Sequence, residues 1–162
     1  MKKLLFITLL LPILSNAQNM YPRAAGHVGI VHPLVAFSSD GTETNFGNSY
    51  RVGFPMALNI WKTEKVGFSL EVIPTLKSEN GTSKIYNVTF HPGILYRLSH
   101  NLTFVGRAAF ETSGRYGVTP VFNQIIKRNK NSNVYIAVPL PIRFGNDKPA
   151  SIGANVQFGI SF

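Results

Sequence analysis

The sequence predicts an all-β fold closed as an antiparallel up-and-down barrel, and three observations lead there. First, the last twelve residues, SIGANVQFGISF, put Ile152, Ala154, Val156, Phe158, Ile160 and Phe162 on one face and Ser151, Gly153, Asn155, Gln157, Gly159 and Ser161 on the other. That is the two-residue period of a strand with one apolar face. Second, the same alternation recurs between turn-rich stretches along most of the chain, and no helical periodicity of useful length competes with it. Third, the faces opposite the large side chains hold mainly Gly, Ser, Ala, Asn and Thr with an isolated Arg or Glu, where a water-facing surface is dense in Lys and Glu.

The chain opens MKKLLFITLLLPILSNAQ. Two lysines, an apolar run from Leu4 to Leu14 and small residues before Gln18 predict a secretory signal peptide over residues 1–17, cleaved after Ala17. The run is too short for a membrane helix. Residues 18–162 are expected to form one barrel domain. Removal of Lys2 and Lys3 leaves 14 basic against 7 acidic residues, a net charge of +7. The absence of cysteine from an exported chain means that no disulfide framework holds the fold.

Residues 27–37 form the first and least regular strand, with Val28, Ile30 and Leu34 on one face and a kink at His32-Pro33. After a polar loop, Tyr50, Val52, Phe54, Met56, Leu58 and Ile60 alternate with Arg51, Gly53, Pro55, Ala57 and Asn59. The short connection 62–65 leads to Val66, Phe68, Leu70 and Val72, and SENGTS then leads to Tyr86, Val88, Phe90, Ile94, Tyr96 and Leu98. Ser99-His100-Asn101 is a tight turn before Leu102, Phe104, Ala108 and Phe110. Val134, Ile136, Val138, Leu140, Ile142 and Phe144 oppose Asn133, Tyr135, Ala137, Pro139, Pro141 and Arg143, and GNDKPA turns the chain into its last strand.

Seven strands are readable, and residues 116–126 are either an eighth or part of a long loop. Membrane-spanning bacterial barrels have an even number of strands, so the expected count is eight. Six prolines inside proposed strands, Pro33, Pro55, Pro74, Pro92, Pro139 and Pro141, argue against a continuous ladder, since proline has no N–H to give. Bulges absorb some of them.

The terminal strand resembles that of small porin-like outer-membrane β-barrel proteins of Gram-negative bacteria, in which the chain ends in Phe with apolar residues at alternate positions before it. The signal peptide strengthens the resemblance. It implies a transmembrane β-barrel in the cell outer membrane, assembled by the barrel-insertion machinery with Phe158, Ile160 and Phe162 as the assembly signal. Outer-membrane lipid and lipopolysaccharide are the implied partners, and lipopolysaccharide phosphates the expected counter-charge for the basic excess. Tyr50, Trp61, Tyr86, Tyr96, Phe110, Phe144 and Phe162 stand near strand ends, where interfacial girdles sit.

In an eight-stranded barrel the interior is just wide enough for side chains to fill. On this register Arg51, Glu71, Lys77, Arg97, Arg107, Glu111 and Arg143 point inward and are expected to form a lumen charge network, because buried charge must be paired or wet. His27 and His32 fall on opposite faces of a regular strand, and with no cysteine and few carboxylates near them no metal or other cofactor is expected. Ser99-His100 has no partner acid in reach, so the chain is not expected to be an enzyme. The expected function is a structural or surface-interaction role, with the loops at 38–49 and 78–84 making contacts outside the cell. The alternatives are a soluble periplasmic barrel binding a hydrophobic ligand and a lipid A-modifying enzyme.

Overall fold

The computed structural model describes residues 21–47 and 49–162, so the signal peptide expected over residues 1–17 lies outside the described residues. Eleven strand segments form one sheet: β1 (Arg23–Ser38), β2 (Gly41–Thr44), β3 (Ser49–Gly53), β4 (Met56–Trp61), β5 (Val66–Glu79), β6 (Thr82–Arg97), β7 (Leu102–Glu111), β8 (Tyr116–Arg128), β9 (Asn133–Pro139), β10 (Ile142–Phe144) and β11 (Ser151–Ser161). β2, β3 and β4, which all pair with β1, form one interrupted stave and β9 with β10 another, which makes eight staves, paired antiparallel in chain order. The last returns to the first: β1 and β11 pair from His27 opposite Ser161 to Ser38 opposite Ser151. The main chains of Gly26 and Phe162 exchange two further hydrogen bonds, of 2.7 and 2.9 Å. The sheet is therefore an eight-stranded ring, and closure leaves no long edge unpaired.

β8 settles the strand count. It pairs with β7 from Leu102–Gln124 to Phe110–Tyr116 and with β9 from Val121–Pro139 to Arg128–Asn133. One expectation about the loops is corrected. Residues 78–84 are not a loop, because β5 runs to Glu79 and β6 starts at Thr82, joined only by Asn80 and Gly81. Both turn residues have positive φ, 51° and 74°, the mirror-image turn that suits the twist of a hairpin. β1 carries a register shift between Pro33 and Val35, next to the kink expected at His32-Pro33.

The alternation in the sequence becomes an inside and an outside. Phe54, Leu70, Val138 and Phe158 are all exposed, with over a third of each surface accessible, whereas Ser69, Glu71, His91, Arg107 and Thr119 are buried. Trp61 corrects the expected girdle: it is buried inside the ring, with the Arg97 guanidinium 4.3 Å from its ring centroid. Parity requires this, since Met56, Leu58 and Ile60 face outward on the same strand. Tyr50, Tyr96, Phe110, Phe144 and Phe162 are exposed as expected of a girdle. Tyr86 is also exposed but lines the internal cavity beneath Arg51, whose guanidinium is 4.9 Å from its ring. The register shift at Thr75/Leu76, where the β6 partners jump from Asn87 to Ile85, accounts for that turn.

The two ends differ. At one end lie both described termini and the short turns after β4, β6 and β8; at the other lie β2 with residues 39–40 and 45–47 beside it and the connections 80–81, 112–115 and 145–150. A buried apolar cluster of Trp61, Leu95, Val105, Val121, Tyr135 and Ala137, with Tyr21 and Ala25 packed against it, fills the terminus half. Tyr135 fits because Gly29 and Gly159 leave room for it: a Cβ on Gly159 would stand 2.5 Å from its hydroxyl. No other residue permits that approach.

Candidate functional site

Above the apolar cluster, β1, β5, β6, β7, β8 and β10 bring a polar network into the lumen. Glu71 is its centre. One carboxylate oxygen accepts from His27 Nε2 at 3.0 Å and faces the Arg107 guanidinium at 3.5 Å, and the other accepts from His91 Nδ1 at 3.2 Å. Because an ionised carboxylate only accepts, His91 carries its proton on Nδ1 and leaves Nε2 as acceptor. Arg143 and Thr119 both lie 3.2 Å from that Nε2. Arg143 also donates from Nε to Glu111 at 2.6 Å and from a terminal nitrogen to Thr119 Oγ1 at 2.9 Å. Two acids, two guanidiniums and two imidazoles thus close one network.

A cavity of about 560 Å³ lies above this network and opens at the loop end. Its wall includes Arg51, Tyr86, His91, Glu111, Arg115 and Arg143. Two ion pairs stand at the rim. Arg51 pairs with Glu43 at 2.9 Å and Lys77 with Glu79 at 2.8 Å; the Lys77 ammonium holds the Glu79 carboxyl below its ordinary value. One terminal nitrogen of Arg115 donates to the carbonyls of Arg143 and Pro149 and to Ser151 Oγ.

Of the seven charged residues expected to share one network, the structure brings four together: Glu71, Arg107, Glu111 and Arg143. Arg51 and Lys77 stand at the loop-end rim, and Arg97 stacks on Trp61 at the opposite end. Sequence reasoning left out His27, His91, Thr119 and the Tyr135–Gln157 pair, joined by a 2.9 Å hydrogen bond. The signal was there: all five have inward parity. His32 lies on the other face and accepts or donates at Nδ1 with the Tyr50 hydroxyl, 2.8 Å away. Arg107 occupies the third position on Glu71 and brings a positive charge where a metal ion would need to sit. Among the described residues no group of three or more His, Asp or Glu has a metal-holding arrangement.

No protein-family model matches the chain, and no curated protein matches it. Two solved structures of designed proteins are similar in architecture. One, described as "De novo design of transmembrane beta-barrels", is 12% identical over 88% of this chain and 97% of its own, with a TM-score of 0.49. The other, the solution NMR structure of the de novo designed TMB2.3, is 9% identical over 90% of this chain and 97% of its own, with a TM-score of 0.48. The fold rests on this chain's own ring of pairings.

Proposed function

We propose that the mature chain is a small integral barrel of the outer membrane, without catalytic activity, that acts as a structural or surface-interaction protein and does not conduct. One observation carries this reading: large apolar side chains cover the outside of a closed ladder while the ionised groups of its middle lie inside. Water would penalise that exterior by roughly 25 cal/mol for each Å² of apolar surface left wet, whereas hydrocarbon tails do not. Lipid also demands that every main-chain polar group be satisfied within the protein, which a closed ring achieves.

The lumen supports a non-conducting role. The apolar cluster around Trp61 and Tyr135 fills the terminus half, and the Glu71 and Glu111 ion pairs cross the middle. Phe158 and Ile160 are exposed on β11 and Phe162 at its end, placed for an insertion machinery to read before the ring closes. Short turns and termini on one side are the periplasmic arrangement of such barrels, so the cavity opens outward in this reading. Cell fractionation tests it. Extraction by detergent alone, with gel mobility that changes on heating, is the expected result; release by osmotic shock would refute membrane integration.

A further inference from the structure

The basic excess of the chain is not spread evenly over the barrel. The terminus end carries seven basic side chains and one acid, Glu64, whereas the loop end carries five basic residues against Asp40, Glu43, Glu79 and Asp147. The two ends also differ in how the charges are used. At the loop end Arg51 and Lys77 have carboxylate partners, while Lys84, Arg115 and Lys148 form no ion pair among the described residues. Among the described residues, none of Arg23, Lys62, Lys65, Lys127, Arg128 and Lys130 at the terminus end forms an ion pair, and all six are exposed.

Their depth is set by the strands that carry them. Lys62 comes two residues after outward-facing Ile60, Lys65 directly before Val66, and Lys127 directly after Ile126, and all three apolar residues are exposed. At about 3.3 Å per residue, the main-chain positions of these lysines lie within roughly 3–7 Å of the last outward apolar residue. Arg128 is fixed at its turn by donating to the His100 carbonyl and to Asn101 Oδ1. The cations come from the start of β1 and from two separate turns, and so edge the apolar band instead of forming one concave patch. A rim flush with an apolar band fits the plane of a lipid leaflet better than the surface of an acidic protein.

Resting on the membrane reading above, we propose that this rim binds the anionic headgroups of glycerophospholipids, such as phosphatidylglycerol, in the leaflet at the terminus end. The unpaired excess charge therefore serves the periplasmic leaflet rather than lipopolysaccharide outside. The mature chain, folded in zwitterionic micelles and checked for heat-modifiable mobility, is titrated with phosphatidylglycerol or phosphatidylcholine of equal acyl length, and bound lipid is counted by native mass spectrometry. Each cation near an anionic surface contributes on the order of fivefold in binding. Phosphatidylglycerol should therefore be preferred at least tenfold, and K62Q/K65Q/K127Q/K130Q should cut that preference at least tenfold. The loop-end control K77Q/K84Q/K148Q should keep it within about twofold.

A folded chain that binds the two lipids equally, or a control variant that loses as much as the rim variant, overturns the proposal alone. Binding of soluble polyglutamate that phosphatidylglycerol does not displace reassigns the rim to an acidic polymer and also overturns it. A chain that never acquires heat-modifiable mobility sinks the barrel reading, and this proposal with it.

Discussion

Replacing Glu71 by Gln should weaken the barrel more than any other single change at its centre. The side chain is buried, and its two oxygens face three donors, His27 at 3.0 Å, His91 at 3.2 Å and Arg107 at 3.5 Å. Glutamine keeps the shape but removes the charge, offers one acceptor oxygen instead of two, and turns an amide N–H toward the former donors. Arg107 is then left buried without its counter-charge; apart from Glu71, its guanidinium has only the His91 carbonyl at 3.3 Å as a partner among the described residues. Breaking a buried pair in this way costs about 3–5 kcal/mol. The cavity reaches Glu71, and water entering from it moves the expected loss toward the lower figure. The assay is urea unfolding of the lipid-embedded protein, followed by heat-modifiable mobility. E71Q/R107M, which removes both charges, should recover a large part of the loss. If E71Q unfolds within about 0.5 kcal/mol of the parent, the ion pairs are not what braces the lumen, and the argument from desolvation fails.

On the membrane reading proposed above, Leu70, exposed mid-strand on β5, should cost about 2–4 kcal/mol when changed to Arg, as a lipid-facing position near the midplane does; a variant as stable as the parent in bilayers would place Leu70 in water. Y135F removes the hydrogen bond from Gln157 and should cost about 1 kcal/mol. G159A drives a methyl group into the same ring and should cost more, about 1–3 kcal/mol, so equal effects in urea unfolding would contradict the packing described. Planar-bilayer recordings of the purified barrel should show no stepwise conductance, and sustained steps would contradict the filled lumen.

Much of this architecture was legible because a two-residue period carries both strand identity and facing. The outward positions of β4, β5 and β11 follow the alternation without exception from Met56 to Ile60, from Val66 to Val72 and from Phe158 to Ile160. The hairpin at 78–84 was missed because the strands there extend past the apolar band, where both faces meet water and the alternation fades into Ser, Lys, Glu and Thr. Trp61 was misplaced because hydrophobicity was allowed to outweigh parity. A barrel this narrow needs large side chains on its inner face as well, so an inward tryptophan is a plug and not a girdle. The central network was half legible for the same reason: Glu71, Arg107, Glu111 and Arg143 stand out as charges, whereas His27, His91 and Thr119 have the same parity but do not count among the charged residues of the sequence.

The prolines, which argued against a continuous ladder, turn out to be compatible with it. A proline gives up a donor and keeps its acceptor, and the carbonyls of Pro55, Pro74, Pro120 and Pro141 accept main-chain bonds from Gly29, Phe54, Leu140 and Gly153 at 2.8–3.0 Å. What each proline leaves short is an opposing carbonyl, which is tolerated better than an orphaned N–H. Two of them fall where a stave is interrupted, at Phe54-Pro55 and Leu140-Pro141, so the lost bond coincides with a bend. Pro55 is fully buried, and Pro33, Pro139 and Pro141 line the internal cavity. A proline ring loses no side-chain entropy on burial, so at these positions a residue that weakens the wall also fills the lumen with rigid apolar volume. Replacing Pro139 by Ala should restore an N–H but leave a void inside, so no gain in stability is expected from the repaired ladder alone.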